Sequence, residues 1–321
     1  MLHELFYWIL NMSILGTLYG LLLYTLRLIK GFPRFGSYTL WGVVFLRLVC
    51  PIGISSRYSL LSLLSDTFSR TLIRTVTIYE ETGQESLQLT LTNMVRAASD
   101  YQPITYKSNL LENFFRVASM IWIIVTVAGI LACIALYLIS VSELKKAVHL
   151  QDEVYAGTMV DTPIIYGLIK PKIVLPLRGC QECPEQVLQS EGIEQVLLHE
   201  RIHMRRRDNL WRMTAILTAC IHWFNPFVWF FLRSFINDSE LACDVRAVKT
   251  MKSEERKAYA RALLAYGSGE RTLFSSAFGS GIVKVRIRSV LTYRRLTIVS
   301  SICFGLMAVL MAFLLLTNQS G

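Results

Sequence analysis

Histidine is scarce in this chain, with five among 321 residues, and acidic side chains are outnumbered, 23 Asp and Glu against 33 Lys and Arg. The cysteines are seven, an odd number, and four lie inside or beside apolar segments, which argues against a secreted disulfide framework. The amino terminus lacks the basic start and small-residue cleavage site of a signal peptide, so its apolar run reads as a retained membrane span. No internal repeat or low-complexity tract occurs. Two long stretches, Val117 to Val141 and Leu296 to Thr317, have no charge at all. Neither suits the surface of a soluble domain.

What is present is apolar mass: 53% of the residues are hydrophobic and the mean hydropathy is +0.43, against roughly 45–50% apolar in soluble domains. Roughly 20 apolar residues at about 1.5 Å each cross a hydrocarbon core of about 30 Å. Segments at about 5–28, 117–141 and 296–317 meet that requirement, and a shorter one at 39–54 is read as a further span, the second in chain order. The second carries Arg47, which is costly at membrane depth unless it snorkels or finds a partner.

The net charge of +10 is unevenly spread: ten of the basic residues precede Val141 and the other 23 lie between Val141 and Thr297. By the positive-inside rule, the connection 142–295 faces the cytoplasm together with the short connection holding Lys30 and Arg34. The loop 55–116, the tail 318–321 and both termini then lie outside. In the outer loop, the alternating runs "RTVTIYE" and "SLQLTLT" around "ETGQ" predict a β-hairpin. The expected fold is mainly α, an integral membrane protein with three transmembrane helices in 1–141, an α+β domain in 142–295 and a fourth helix at 296–317.

All residues with evident chemistry fall in 142–295. The stretch "VLLHERIHMRRRD" contains His199, Glu200 and His203 in H-E-x-x-H spacing, and the apolar positions from Ile193 to Arg206 suit a helix. Residues four apart share a helix face, so both imidazoles can reach one ion. Zinc accepts such nitrogens in tetrahedral geometry, keeps a position open for water in hydrolytic sites and lowers that water's pKa toward about 7. Glu200 is the natural general base. The bland alternative, a chance pair of histidines on a half-buried helix, leaves the intervening glutamate unexplained.

A third ligand is sought in "NDSELACDVRAV", which offers Glu240 and Asp244 four apart on a helix expected to start at Asp238 or Ser239. Glu240 would bind zinc and Asp244 would accept the free N–H of a ligating imidazole. Asp238 competes as a ligand, though a helix start favours capping. Between the two motifs, the run from Asn209 to Phe235 has the hydropathy of a fifth span. One crossing would separate His203 from Glu240 by roughly 30 Å, whereas zinc holds its ligands at about 2 Å. The run must therefore turn back, and Asn225-Pro226 is the expected break of a helical hairpin.

Together, "LLHERIHMRRRD", "HWFNPFVW", "ELACD" and the upstream "TPIIYGLIKPKIVLP" resemble the BlaR/MecR-type antirepressor peptidases, bacterial membrane gluzincins. The resemblance implies zinc on His199, His203 and Glu240, Glu200 as base, four spans and a zincin-like (gluzincin) peptidase domain facing the cytoplasm. It also implies a cytoplasmic protein substrate such as a DNA-bound repressor, and autocleavage, which the Gly- and Ser-rich stretch 267–288 would receive around Ser275 to Phe278. In the family's β-lactam sensors a penicillin-binding domain follows the last span, and this sequence stops at Gly321 without one, which leaves antibiotic sensing an open expectation.

Ile173, Val174 and Leu175, between Pro171 and Pro176, read as a short strand: an edge strand that pairs with the substrate backbone, or an ordinary core strand. His222, flanked by aromatics, reads as structural. Cys180 and Cys183 have metal-binding spacing without a second Cys-x-x-Cys. Arg205 to Arg207 read as a solvated or lipid-facing stripe, so direct nucleic-acid binding is not expected, and a homo-oligomer is compatible with the layout. The competing functions are a quality-control or lipoprotein-processing membrane gluzincin, a catalytically silent membrane signalling protein and a basic nucleic-acid-binding regulator. The intact Glu200 favours a membrane zinc endopeptidase.

Overall fold

The computed structural model describes residues 2–28, 34–49, 54–56, 109–158, 160–177, 184–267 and 282–293, with 302, 305–306, 308–310, 313 and 317–319 in the last stretch. The expected outer hairpin, Cys180 and Cys183, the region around Ser275 to Phe278 and most of 296–317 lie outside the described residues. The chain forms two compact units: Met1–Lys30, Thr39–Thr126 and Ile298–Gly321 make one, and Gly31–Tyr38 with Val127–Thr297 make the other.

The first unit is built on α1 (Leu2–Leu28) and most of α2 (Arg34–Val49). Phe6 of α1 meets Phe115 and Trp122 of α3 (Asn109–Leu144), with ring centroids 6.3 and 5.9 Å apart. Arg47 is buried within this unit, close to Tyr19 of α1. The second span differs from its expected limits of 39–54. The helix begins at Arg34 and ends at Val49, two residues before Pro51, and Ile54–Ser56 (β1) is extended. Proline disfavours helical geometry in the residue before it, which stops the helix early. β1 pairs in parallel with β6 (Thr317–Gln319), residues the sequence assigns to the last span and its tail.

Among the described residues, two helices are long and apolar enough to cross a membrane, Leu2–Arg27 and Asn113–Ser142. The second has a mean hydropathy of 2.6, and only 6% of its most apolar window is buried inside the protein. Ile121, Ile124, Leu131, Ile134 and Leu138 all stand exposed on it. An apolar surface of that extent demands lipid.

In the second unit, β2 (Val148–Gln151), β3 (Val154–Gly157), β4 (Ile164–Tyr166) and β5 (Lys172–Pro176) form a sheet in the order β2-β3-β5-β4. β3 and β5 run parallel and the outer pairs antiparallel. The edge-strand reading of Ile173, Val174 and Leu175 is therefore overturned. β5 is paired on both sides, Ile173 and Leu175 are fully buried, and the edges are β4 and β2. Gly167 makes the β4–β5 turn at φ 95°, where a Cβ would stand 2.7 Å from the Lys170 carbonyl oxygen.

Helix α4 (Ile193–Arg206) lays Ile193 and Leu197 on Val154, Ile173 and Leu175 of the sheet. Arg207 takes the left-handed conformation at φ 55°, ends α4 and lets α5 (Asp208–Ile221) leave in a new direction. The chain turns at Asn225, whose side chain accepts from the Phe227 N–H at 3.0 Å, with Pro226 opening α6 (Pro226–Val248). The expected helical hairpin is thus present. The expected start at Asp238 or Ser239 is not: both lie inside the 23-residue α6, because Leu232, Ser234 and Phe235 continue its buried face. Cys220 Sγ of α5 lies 3.8 Å from Cys133 Sγ of α3, so the hairpin packs on the apolar helix.

Helices α7 (Ser253–Gly267) and α8 (Ile282–Leu291) close the domain, with Tyr259, Ala260 and Val290 joining Ile202, Cys243 and Ala247 in one core. The end of the Gly- and Ser-rich stretch 267–288 is thus part of a helix, Ile282–Leu291. Val285 and Ile287 alternate with basic residues there, and the buried face of α8 carries Arg286 inward.

Candidate active site

α4 brings His199 and His203 onto one buried face, 7% and 5% exposed, with their Nε2 atoms 3.1 Å apart. From α6, the Glu240 carboxylate closes the group: Oε2 is 3.4 Å from His199 Nε2, and Oε1 is 3.5 Å from His203 Nε2. Cys243, one turn further along α6, also lies within a His199–His203–Cys243 cluster capable of holding a metal ion. Its Sγ, however, donates to the His199 carbonyl at 3.3 Å, against the backbone of α4.

The other ring nitrogen of each histidine is held. His203 Nδ1 donates to Asp208 Oδ2 at 2.6 Å. His199 Nδ1 meets the Tyr259 hydroxyl at 2.8 Å, and that hydroxyl donates to Asp244 Oδ1 at 2.9 Å. Asp244 is thus near His199, at 3.3 Å, with Tyr259 standing between them in the hydrogen-bond chain. With each Nδ1 engaged in this way, both Nε2 atoms are left facing each other and the Glu240 carboxylate, a donor set that suits a cation once the imidazoles are neutral.

Arg286 of α8 is 5% exposed and grips Asp244 twice, through Nε at 2.8 Å and Nη2 at 2.9 Å, while Nη1 reaches Glu240 Oε2 at 3.0 Å. Its Nη2 also donates to His199 Nε2 at 3.1 Å. Arg212 of α5 pairs with the other Glu240 oxygen. Burial alone would raise the Glu240 carboxyl, but Arg286, His203 and Arg212 hold it well below the usual carboxylate range. Asp244 is lowered as well: burial opposes its charge, and Arg286 and His199 outweigh that. Burial disfavours a charged His203, yet Glu240, Cys243 and Asp208 push it up to about 10. Glu200 moves the other way from Glu240, raised by burial in spite of both histidines.

These groups open into a cavity of about 500 Å³ lined by Glu200, the β4 residues Ile164 to Tyr166, Tyr137 of α3 and Trp229 and Leu232 of α6. The sequence pointed to His199, Glu200, His203, Glu240 and Asp244, and all five converge here. Ile173, Val174 and Leu175 do not line the cavity. Asp238 is fully buried elsewhere, accepting from Ser37, and His222 is buried outside it. Asp208, Arg212, Tyr259 and Arg286 were missed. Asp208 had a faint signal, an acid five residues after a ligand-type histidine, but five residues along a continuous helix are about 140° round from it. Only the left-handed Arg207 returns that carboxylate to His203.

The BlaR1 peptidase M56 family model matches residues 7–288. The chain belongs to that family. Among curated relatives of the M56 chain, Regulatory protein BlaR1 of Bacillus licheniformis is 30% identical over 142 residues, 42% of this chain and 23% of that protein. Methicillin resistance mecR1 protein of Staphylococcus aureus (strain Mu50 / ATCC 700699) is 29% identical over 105 residues, 33% of this chain and 17% of that protein, and the Staphylococcus epidermidis mecR1 protein matches to the same extent. The match spans less than a quarter of the length of these relatives.

Proposed function

We propose that this M56 chain is an integral-membrane zinc endopeptidase of signal transduction that cleaves a cytoplasmic protein. One observation carries this reading. His199 Nε2 and His203 Nε2 stand 3.1 Å apart with one Glu240 oxygen against each, Oε2 at 3.4 Å and Oε1 at 3.5 Å, separations close to the roughly 3.3–3.4 Å between neighbouring ligands that lie about 2.0–2.1 Å from a zinc ion. Two imidazoles and a carboxylate are a zinc donor set, and Glu240 rather than Cys243 is the proposed third ligand.

Bound there, zinc supplies Lewis acidity toward the scissile carbonyl and toward water. Glu200 takes the proton of the attacking water and returns it to the leaving amine nitrogen, a role suited to a carboxyl whose pKa burial raises. Asp208 and Tyr259 fix the two imidazoles, and Arg212 and Arg286 fix Glu240. The substrate backbone lies along β4, the sheet edge in the cavity wall, by strand addition. Four spans with 142–295 on the cytoplasmic side remain the proposed layout. The relatives' printed names, a regulatory protein and a resistance protein, support a signalling role.

Glu200→Ala should abolish proteolysis while zinc content stays near wild type, because the base is lost and the ligands remain. Mapping new cytoplasmic protein termini in cells with wild type and with this variant identifies the substrate. Cleavage that persists in Glu200→Ala would sink the mechanism.

A further inference from the structure

Tyr38 and Ser37 stand in the first turns of α2, about 170 and 200 residues before the carboxylates they touch. The Tyr38 hydroxyl donates to Asp208 Oδ1 at 2.7 Å, and the other oxygen of the same carboxylate accepts from His203 Nδ1 at 2.6 Å. The Tyr38 ring is clamped as well. It stacks on Phe235 of α6 with centroids 5.3 Å apart and planes 14° apart, and the Arg206 guanidinium lies 4.2 Å above its centre. Ser37, fully buried, donates to Asp238 of α6. Asp208 is itself 1% exposed, and among the described residues its carboxylate also meets Ser239 Oγ at 3.3 Å and Arg206 Nε at 3.4 Å. Its two shortest bonds are those to Tyr38 and His203.

A carboxylate that orients a ligating imidazole must itself be oriented, since rotation about its own bonds would swing the imidazole off the metal. We propose that Tyr38 is a positioning residue for the metal centre: its hydroxyl locks Asp208, Asp208 locks the His203 imidazole with Nε2 turned inward, and the start of α2 thereby acts on metal affinity. This rests on His203 being a metal ligand, as proposed above. A small axial shift or rotation of α2 moves the hydroxyl, and a hydrogen bond bent far from linear weakens steeply. The first turn of α2 is then an input through which membrane-helix movement changes how tightly the centre holds its ion.

The test uses the full chain in detergent, stripped of metal and titrated with Zn2+ against a chromophoric chelator, and with Co2+ to read its absorption bands. Tyr38→Phe removes the hydroxyl and keeps the ring on Phe235. It should weaken Zn2+ affinity by about 10- to 100-fold, the usual cost of losing such support, and alter the Co2+ bands. Asp208→Asn should cost at least as much, and the double variant no more than Asp208→Asn alone, because the hydroxyl acts only through that carboxylate. Wild-type affinity and Co2+ bands in Tyr38→Phe, or a double variant whose losses multiply, would overturn the proposal. If His203→Ala binds Zn2+ as wild type does, the metal-centre reading fails instead, whatever Tyr38→Phe shows.

Discussion

At the residue scale, two side chains of α6 compete as third ligand, and geometry separates them. Glu240 aims both oxygens at the two Nε2 atoms, whereas Cys243 Sγ is tied to the α4 backbone. Cys243→Ala should therefore retain about one zinc per chain by metal analysis, and Glu240→Ala should lose it. The reverse pattern would make the thiolate the ligand. The same residues set a pH dependence for the metal-free protein. His203 is raised to about 10, so its stabilising contribution is full below its unfolded value near 6.5 and is lost as pH climbs through about 10. Glu240, Asp244 and Asp208 are lowered, so theirs is full above about pH 4 and is lost as pH falls. Metal needs the neutral imidazole, and its affinity rises as protons leave. The rise in melting temperature on adding zinc should be larger at pH 8 than at pH 6, read by thermal unfolding in detergent; an equal or smaller rise would show that the histidines do not release protons to the metal.

At the element scale, the α5–α6 hairpin is the feature on which the site depends, since it returns Glu240 to the histidines that α4 carries. Its turn lies at Asn225-Pro226, where capping and the missing proline N–H break the helix without help from the surroundings. Cys133 sits inside the apolar span Asn113–Ser142 with Cys220 beside it. In a background keeping only these two cysteines, mild oxidation should join α3 to α5, seen as linked fragments after proteolysis between them. The Sγ atoms need only rotate and close by about 2 Å to reach bonding distance. Absence of the link under conditions that join a nearby control pair would place the hairpin elsewhere.

At the scale of the whole molecule, the proposed topology decides whether a cytoplasmic substrate can reach the site. Single cysteines at Ser190 and Ser253 in a cysteine-free background should be shielded from an impermeant reagent in intact cells, and one at Ser320 should react. Opposite labelling at Ser190 and Ser253 would mean that the hairpin crosses, dividing the proposed ligands between two compartments. Apolar exposure along Asn113–Ser142 gives the membrane assignment its physical force, because only 6% of that window finds cover within the protein.

The long apolar helices, the H-E-x-x-H helix Ile193–Arg206, the turn at Asn225 and the convergence of Glu240 on the histidines were legible in the order of the residues. Those follow from local rules: hydropathy over a span length, a period of 3.6 residues, a proline, and the short reach of a metal. That β5 is an inner strand, that α6 runs unbroken through Asp238, and that Asp208, Tyr259, Arg286 and Tyr38 surround the imidazoles emerged from the packed fold. Pairing order in a sheet is fixed by neighbours that periodicity within one strand does not name. A carboxylate reaches His203 because one residue, Arg207, adopts a left-handed backbone, and a tyrosine reaches that carboxylate across 170 residues of chain. Contacts of that kind depend on how helices pack, and no spacing within a motif encodes them.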